Sequence, residues 1–226
     1  MLTPPEIARS LLAAGESKAR LPFGKMLLLA ILAGAYIALA GVGATAAAVT
    51  VESGSLAKLL SACVFPAGLS MVILAGSELF TGNCLMVMAL LERRITPAQL
   101  LRNWLTVYLG NAVGGAAVAA LAVYSHTASL FGDGLARSMV SIAESKAALG
   151  FGDAFLRGVL CNFLVCLAVW MAAASKRAEG KVIALFFPIL LFVLCGYEHC
   201  IANLYYLPAG AFAAAEYGME TTLTLA

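Results

Sequence analysis

The sequence predicts an all-α polytopic membrane protein, built as an inverted repeat with two discontinuous transmembrane helices. Three observations predict it. The chain of 226 residues holds 14 Lys and Arg and 12 Asp and Glu, or 12% charged, about half the roughly 25% of an ordinary soluble domain. These charges punctuate long uncharged runs. A short Gly-x-Glu-x-x-x-x-Asn pattern recurs in the two apolar stretches that are too long for a single span.

Mean hydropathy is +0.95. A soluble exterior cannot be made from this composition, which excludes a disordered chain, a nucleic-acid binder and a typical cytosolic enzyme. The first 25 residues read as an amphipathic helix lying on the membrane surface. Pro4 and Pro5 suit its start, and Ile7, Leu11 and Leu12 are expected to face lipid. No compact apolar core with a small-residue cleavage site precedes Met26, so a secretory signal peptide is not expected.

Residues 26–226 read as one transmembrane domain with spans near 26–50, 59–91, 104–124, 154–175 and 182–209. About 20 apolar residues cross the hydrocarbon core. The second and fifth runs are too long for one plain helix, and each carries an acid in its middle. Lys and Arg near the span ends set orientation. Arg9, Lys18, Arg20, Lys25, Arg93, Arg94, Arg102, Lys176, Arg177 and Lys181 fall on one side, and Lys58, Arg137, Lys146 and Arg157 on the other. The side with ten is expected to be cytoplasmic, with the N-terminus inside.

Gly76, Glu78 and Asn83 in span two recur as Gly196, Glu198 and Asn203 in span five, 120 residues later. Three connections, an odd number, separate the copies, so they run in opposite directions, the signature of an inverted repeat with broken helices. Irregular backbone at membrane depth is tolerated only inside protein or along a wet cavity. Half-helix N-termini meeting there favour an anion. The expected breakers are Pro66, Gly68, Gly76 and Gly82 in span two, and Pro188, Gly196 and Pro208 in span five.

Intramembrane ionisable residues are functional candidates. His199 reads as a pore-lining donor of a hydrogen bond or proton, with a carbonyl-satisfied structural histidine as the alternative. Glu78 and Glu198 read first as braces that accept free N–H groups of the broken helices, and second as groups acting on substrate. Asn83, Asn111, Asn162 and Asn203 are also intramembrane. Asn111 sits in a small-xxx-small face between Gly110 and Gly114, which points to close helix packing. Asn162 and Asn203 divide evenly between packing and pore. Lys146 is either a solvated loop charge or a cation that draws anions to the outer mouth. The six cysteines lie in predicted spans and read as small apolar side chains. Cys195 and His199 alone do not make a metal site, and no cofactor is implied.

These residues resemble the formate/nitrite transporter family. The resemblance is carried by Leu79 to Asn83, Arg102 to Asn111, Gly158 to Met171 and Gly196 to Asn203, within a match from about residue 5 to 212. It implies an aquaporin-like protomer, a ring of five protomers, and a pore in each for formate, nitrite or hydrosulfide. It places Thr81 on the loop of the first break, opposite His199. It assigns Phe65, Leu69, Leu79 and Phe192 to apolar constrictions, and Lys146 and Asn162 to the outer path. It also implies six spans. The polar and small residues from Glu216 to Ala226 cannot form the last one, so the sixth span is expected to be missing and the chain a fragment.

The expected function is a channel or transporter for small monovalent weak-acid anions in a bacterial or archaeal cell membrane. His199 and Thr81 would meet the substrate, with Glu198 anchoring the break or tuning His199. The alternatives are a neutral-solute or water channel on the same fold and a non-conducting truncated subunit. An intramembrane enzyme is disfavoured, because no zincin pattern or nucleophile–base pair stands out.

Overall fold

The computed structural model describes residues 1–223, which form eleven α-helices joined by turns and two 3-10 segments. Helix α1 (Pro4–Ala19) starts at Thr3, whose backbone N–H and hydroxyl both donate to Glu6 Oε2 at 2.7 Å. It does not turn Ile7 and Leu12 outward. Both are buried, and Leu12 packs in a cluster with Met86, Ala89 and Leu100. Gly15 makes this docking possible, since a Cβ there would lie 3.0 Å from the Ala89 methyl.

Helix α2 (Phe23–Ala48) and helix α7 (Pro97–Tyr124) form the tightest pair. Their contact is backbone on backbone. A Cβ on Gly114 would sit 1.9 Å from the Ile31 carbonyl oxygen, and one on Gly34 would sit 2.1 Å from that of Asn111. Between them run α3 (Gly54–Val64), α4 (Pro66–Ala75), the one-turn α5 (Phe80–Asn83), a 3-10 turn (Cys84–Met86) and α6 (Val87–Leu91). After α7 come a 3-10 turn (Thr127–Ser129), α8 (Gly134–Ala147), α9 (Phe151–Ala173), α10 (Ala178–Leu194) and α11 (Cys200–Glu216). Four stretches are long and apolar enough to cross a membrane: Phe23–Ala48, Gly54–Ala75, Pro97–Tyr124 and Phe151–Ala173. Helix α9 exposes Phe155, Leu156, Val159, Leu160 and Phe163, a surface suited to lipid or to a neighbouring protein.

Two interruptions set the site, and they are built alike. Gly76 ends α4 at φ +76°, and Ser77 N–H then bonds back to the Val72 carbonyl at 3.0 Å. Gly196 follows α10 at φ +70°, and Tyr197 N–H bonds back to the Phe192 carbonyl at 3.0 Å. A left-handed glycine carries no Cβ penalty and turns the chain out of the helix. Pro66 marks a slighter interruption between α3 and α4, and the remaining expected breakers do not break. Pro66 opens α4, Gly68 packs against Ala40, Gly82 lies within α5, and Pro188 and Pro208 sit inside α10 and α11.

The segment before α9 is not a loop around Lys146. It is helix α8, which buries Leu135, Ala136, Met139, Val140 and Ala143, and Gly210 of α11 approaches Met139 and Ala143. The closing segment folds back on it. Thr222 N–H and Thr221 Oγ1 donate to Glu144 Oε1 at 2.8 and 2.9 Å. Residues 224–226, the end of the stretch too polar for a sixth span, lie outside the described residues.

Candidate functional site

The two interruptions meet. Thr81 on α5 and His199, the N-cap of α11, are both buried, with Thr81 Oγ1 3.3 Å from His199 Nε2. His199 Nδ1 accepts the backbone N–H of Ala202 at 3.0 Å. A neutral imidazole has one donor and one acceptor nitrogen. With Nδ1 accepting, the proton is assigned to Nε2, which faces Thr81. The helix cap thus fixes the ring as a neutral donor aimed at the junction. His199 is held by a backbone N–H and not, as the structural alternative had it, by a carbonyl.

An aromatic pair covers this point. Phe65 and Phe192 meet edge to face at 5.7 Å between centroids, and Phe192 stacks on the His199 ring at 5.5 Å. Both phenylalanines line a cavity of about 360 Å³ with His199, Glu198, Lys146, Lys58, Arg157 and Tyr206. Leu69 and Leu79 belong to the same buried apolar cluster but do not line that cavity.

Each interruption carries the same charge arrangement. Glu78 receives Lys18 Nζ at 2.6 Å and Asn83 Nδ2 at 2.7 Å. Glu198 receives Lys146 Nζ at 2.7 Å and Asn203 Nδ2 at 2.9 Å. The asparagine stands five residues after its acid in both, and the lysine arrives from a short helix, α1 or α8. The acids take these side chains and not the free backbone N–H groups expected of them. Charged donors satisfy a poorly solvated carboxylate more strongly than neutral ones.

The free backbone groups go elsewhere. Asn111 of α7 accepts Phe80 N–H at 3.0 Å through Oδ1 and donates to the Ala30 and Glu78 carbonyls at 2.7 and 2.9 Å. Asn111 therefore braces the first break, a role that its small-residue surroundings concealed. Asn103 accepts from Asn83 at 2.9 Å, and Trp104 Nε1 donates to the Asn83 carbonyl at 3.1 Å. Asn162 of α9 stands apart from the cavity lining, with its buried Oδ1 unpartnered. The Oδ1 of Asn203 is likewise buried and unpartnered. Lys146 also lies over the Tyr206 ring, 5.2 Å from its centroid.

The sequence profile of the formate/nitrite transporter family matches residues 5–225. The chain belongs to the formate/nitrite transporter family. It is 38% identical over 229 residues to a probable formate transporter of Methanothermobacter thermautotrophicus, across 93% of this chain and 83% of that one. It is 41% identical over 187 residues to the formate channel FocA of Haemophilus influenzae, across 81% of this chain and 66% of that one. Two solved structures share its shape. An FNT family ion channel aligns with a TM-score of 0.84 at 30% identity, over 92% of this chain and 84% of that one. A pentameric formate channel with formate bound aligns with a TM-score of 0.77 at 32% identity, over 87% and 81%. These relatives are transporters and channels, not enzymes. The family member described here carries both interruptions, the histidine junction and the paired lysines.

Proposed function

We propose that the chain is a membrane channel or transporter for small monovalent anions of weak acids, such as formate, nitrite or hydrosulfide. The observation that carries this reading is the contact between Thr81 and His199 beneath Phe65 and Phe192, at the end of a cavity with three cations and one carboxylate in its lining. A bare anion crossing the aromatic pair loses hydration worth several kcal/mol. His199 Nε2–H and the Thr81 hydroxyl are the two donors there that can meet its charge.

The capped ring favours a hydrogen bond over a relay of protons. An imidazolium would donate from both nitrogens, and so would forfeit the Ala202 bond and the N-cap of α11. On this reading the anion meets these two donors, takes up a proton from hydronium reaching the cavity, and passes the apolar residues as the neutral acid. Glu78 with Asn83, and Glu198 with Asn203, hold the two breaks in place. Leu69 and Leu79 supply the constriction on the far side of the junction.

The proposed architecture is an aquaporin-like inverted repeat in a homopentamer, with the N-terminus in the cytoplasm. Contacts support the inversion. Lys58 of α3 shares a cavity with α8, and α6 packs on α1, so the first broken pass leads from α8 to α1. The Leu2 N–H bonds to the Ala174 carbonyl just before α10, and α11 packs on α8, so the second leads back. Likeness to the pentameric formate channel supports the ring. Stopped-flow measurement of formate, nitrite and hydrosulfide against glycerol and water in proteoliposomes tests the function. The three anions should pass faster than empty liposomes allow, and faster with an inward proton gradient. Glycerol or water flux without anion flux would establish the neutral-solute channel instead, and no flux at all a non-conducting subunit.

A further inference from the structure

The outer cavity adjoins a second one of about 660 Å³, and the two share Thr45, Lys58, Ser61, Ser141 and Ile142 in their walls. Together they are lined by four cations, Lys58, Arg137, Lys146 and Arg157, and by one carboxylate, Glu198. That carboxylate is taken by Lys146 at 2.7 Å, so this lysine adds little net potential at the mouth. Arg137 is turned to the Gly132 carbonyl at 2.6 Å. Lys58 makes no ion pair and no side-chain hydrogen bond among the described residues. It is also the one cation in the wall of both cavities. On α3 it shares a face with Ser61 and Phe65 at helical spacings of three and seven residues. Seven residues of helix place it roughly 10 Å before the aromatic pair, about one Debye length at physiological salt.

We propose that Lys58 is the anion-capturing charge of the outer mouth, and that Lys146 serves as the counter-ion of Glu198. The ligand class is a small monovalent anion, held between the ammonium group and the hydroxyls of Ser61 and Ser141 before it reaches Phe65. Arg157, in the wall of the 360 Å³ cavity only, adds to the same field. This inference rests on the anion-channel reading. It replaces Lys146 as the residue expected to draw anions in.

The test is the initial rate of formate influx into proteoliposomes containing wild type, Lys58→Gln, Lys58→Glu or Lys58→Arg, as ionic strength is raised from low to high. Field-assisted capture weakens with salt. Wild type and Lys58→Arg should slow as salt rises. Lys58→Gln should be slower at low salt, by roughly threefold to tenfold, and less steep in salt than wild type. Lys58→Glu should be slower again and should speed up with salt. A Lys58→Gln protein that elutes like wild type and keeps its rate and salt slope would overturn the inference while leaving the channel intact. A wild type that carries no anion would overturn the channel reading, and this inference with it.

Discussion

Asn83 and Asn203 each donate to an acid five residues back, Glu78 at 2.7 Å and Glu198 at 2.9 Å, and each acid also holds a lysine from a short helix. The recurrence explains how two breaks persist at membrane depth. Each acid ties the extended residues of its break to the following helix through Asn, and to α1 or α8 through Lys. The paired charges leave the junction itself, Thr81 and His199, free to meet a passing molecule.

The Lys146–Glu198 pair should behave as a poorly solvated unit, since the side chains are only 16% and 11% exposed. Lys146→Met or Glu198→Gln alone strands one charge and should cost about 3–5 kcal/mol. The double variant should recover part of that loss. A double-mutant cycle by thermal unfolding in detergent reads the coupling, and additive losses would refute it.

Two glycines separate crowding from conformational strain. Gly114→Ala drives a methyl into the Ile31 carbonyl, so α2 and α7 must part; the cost should reach about 3 kcal/mol or more. Gly76→Ala meets no atom within 4 Å but must hold φ +76°, which costs about 1–2 kcal/mol. Unfolding midpoints of the two variants should rank in that order.

Thr81→Ser keeps the hydroxyl that faces His199, and Thr81→Val keeps the shape but not the donor. Formate flux should survive in the first and fall about tenfold in the second, the loss expected for one hydrogen bond to a charged group. Equal flux in both would remove Thr81 from the path.

The Glu144 carboxylate lies outside the spans and accepts the Thr222 N–H and the Thr221 hydroxyl, in that order of effect, and these bonds lower its pKa from the ordinary glutamate value. A lowered carboxylate pKa means the contact is present above the unfolded value and is lost as pH falls through the folded one. The Thr222 amide resonance should therefore titrate with a midpoint below that of an unpaired glutamate. Glu144→Gln should abolish that titration.

Both breaks were legible in the sequence because Gly76 and Gly196 stand just before acids that a plain membrane helix would not carry. Pro188 and Pro208 misled, because a packed membrane helix can absorb a missing N–H. Helix α8 could have been found. Its buried Leu135, Ala136, Met139, Val140 and Ala143 follow a helical period, but the charges between them suggested a solvated connection. The partnerships of Lys18 with Glu78 and of Asn111 with Phe80 were not legible. They span 60 and 31 residues and depend on how α1 and α7 dock, which local pattern does not encode. His199 stood out as an ionisable group at depth, yet its donor orientation follows from the Ala202 cap, which only the folded backbone reveals.

On the proposed function, His199 meets the anion through Nε2–H as a neutral, capped ring. The most direct measurement is formate flux through His199→Asn in proteoliposomes at matched protein density, across neutral pH. Asparagine also caps helices well, so the protein should unfold near the wild-type temperature while flux falls about tenfold or more. Wild-type flux in a stably folded His199→Asn protein would show that the ring does not meet the anion.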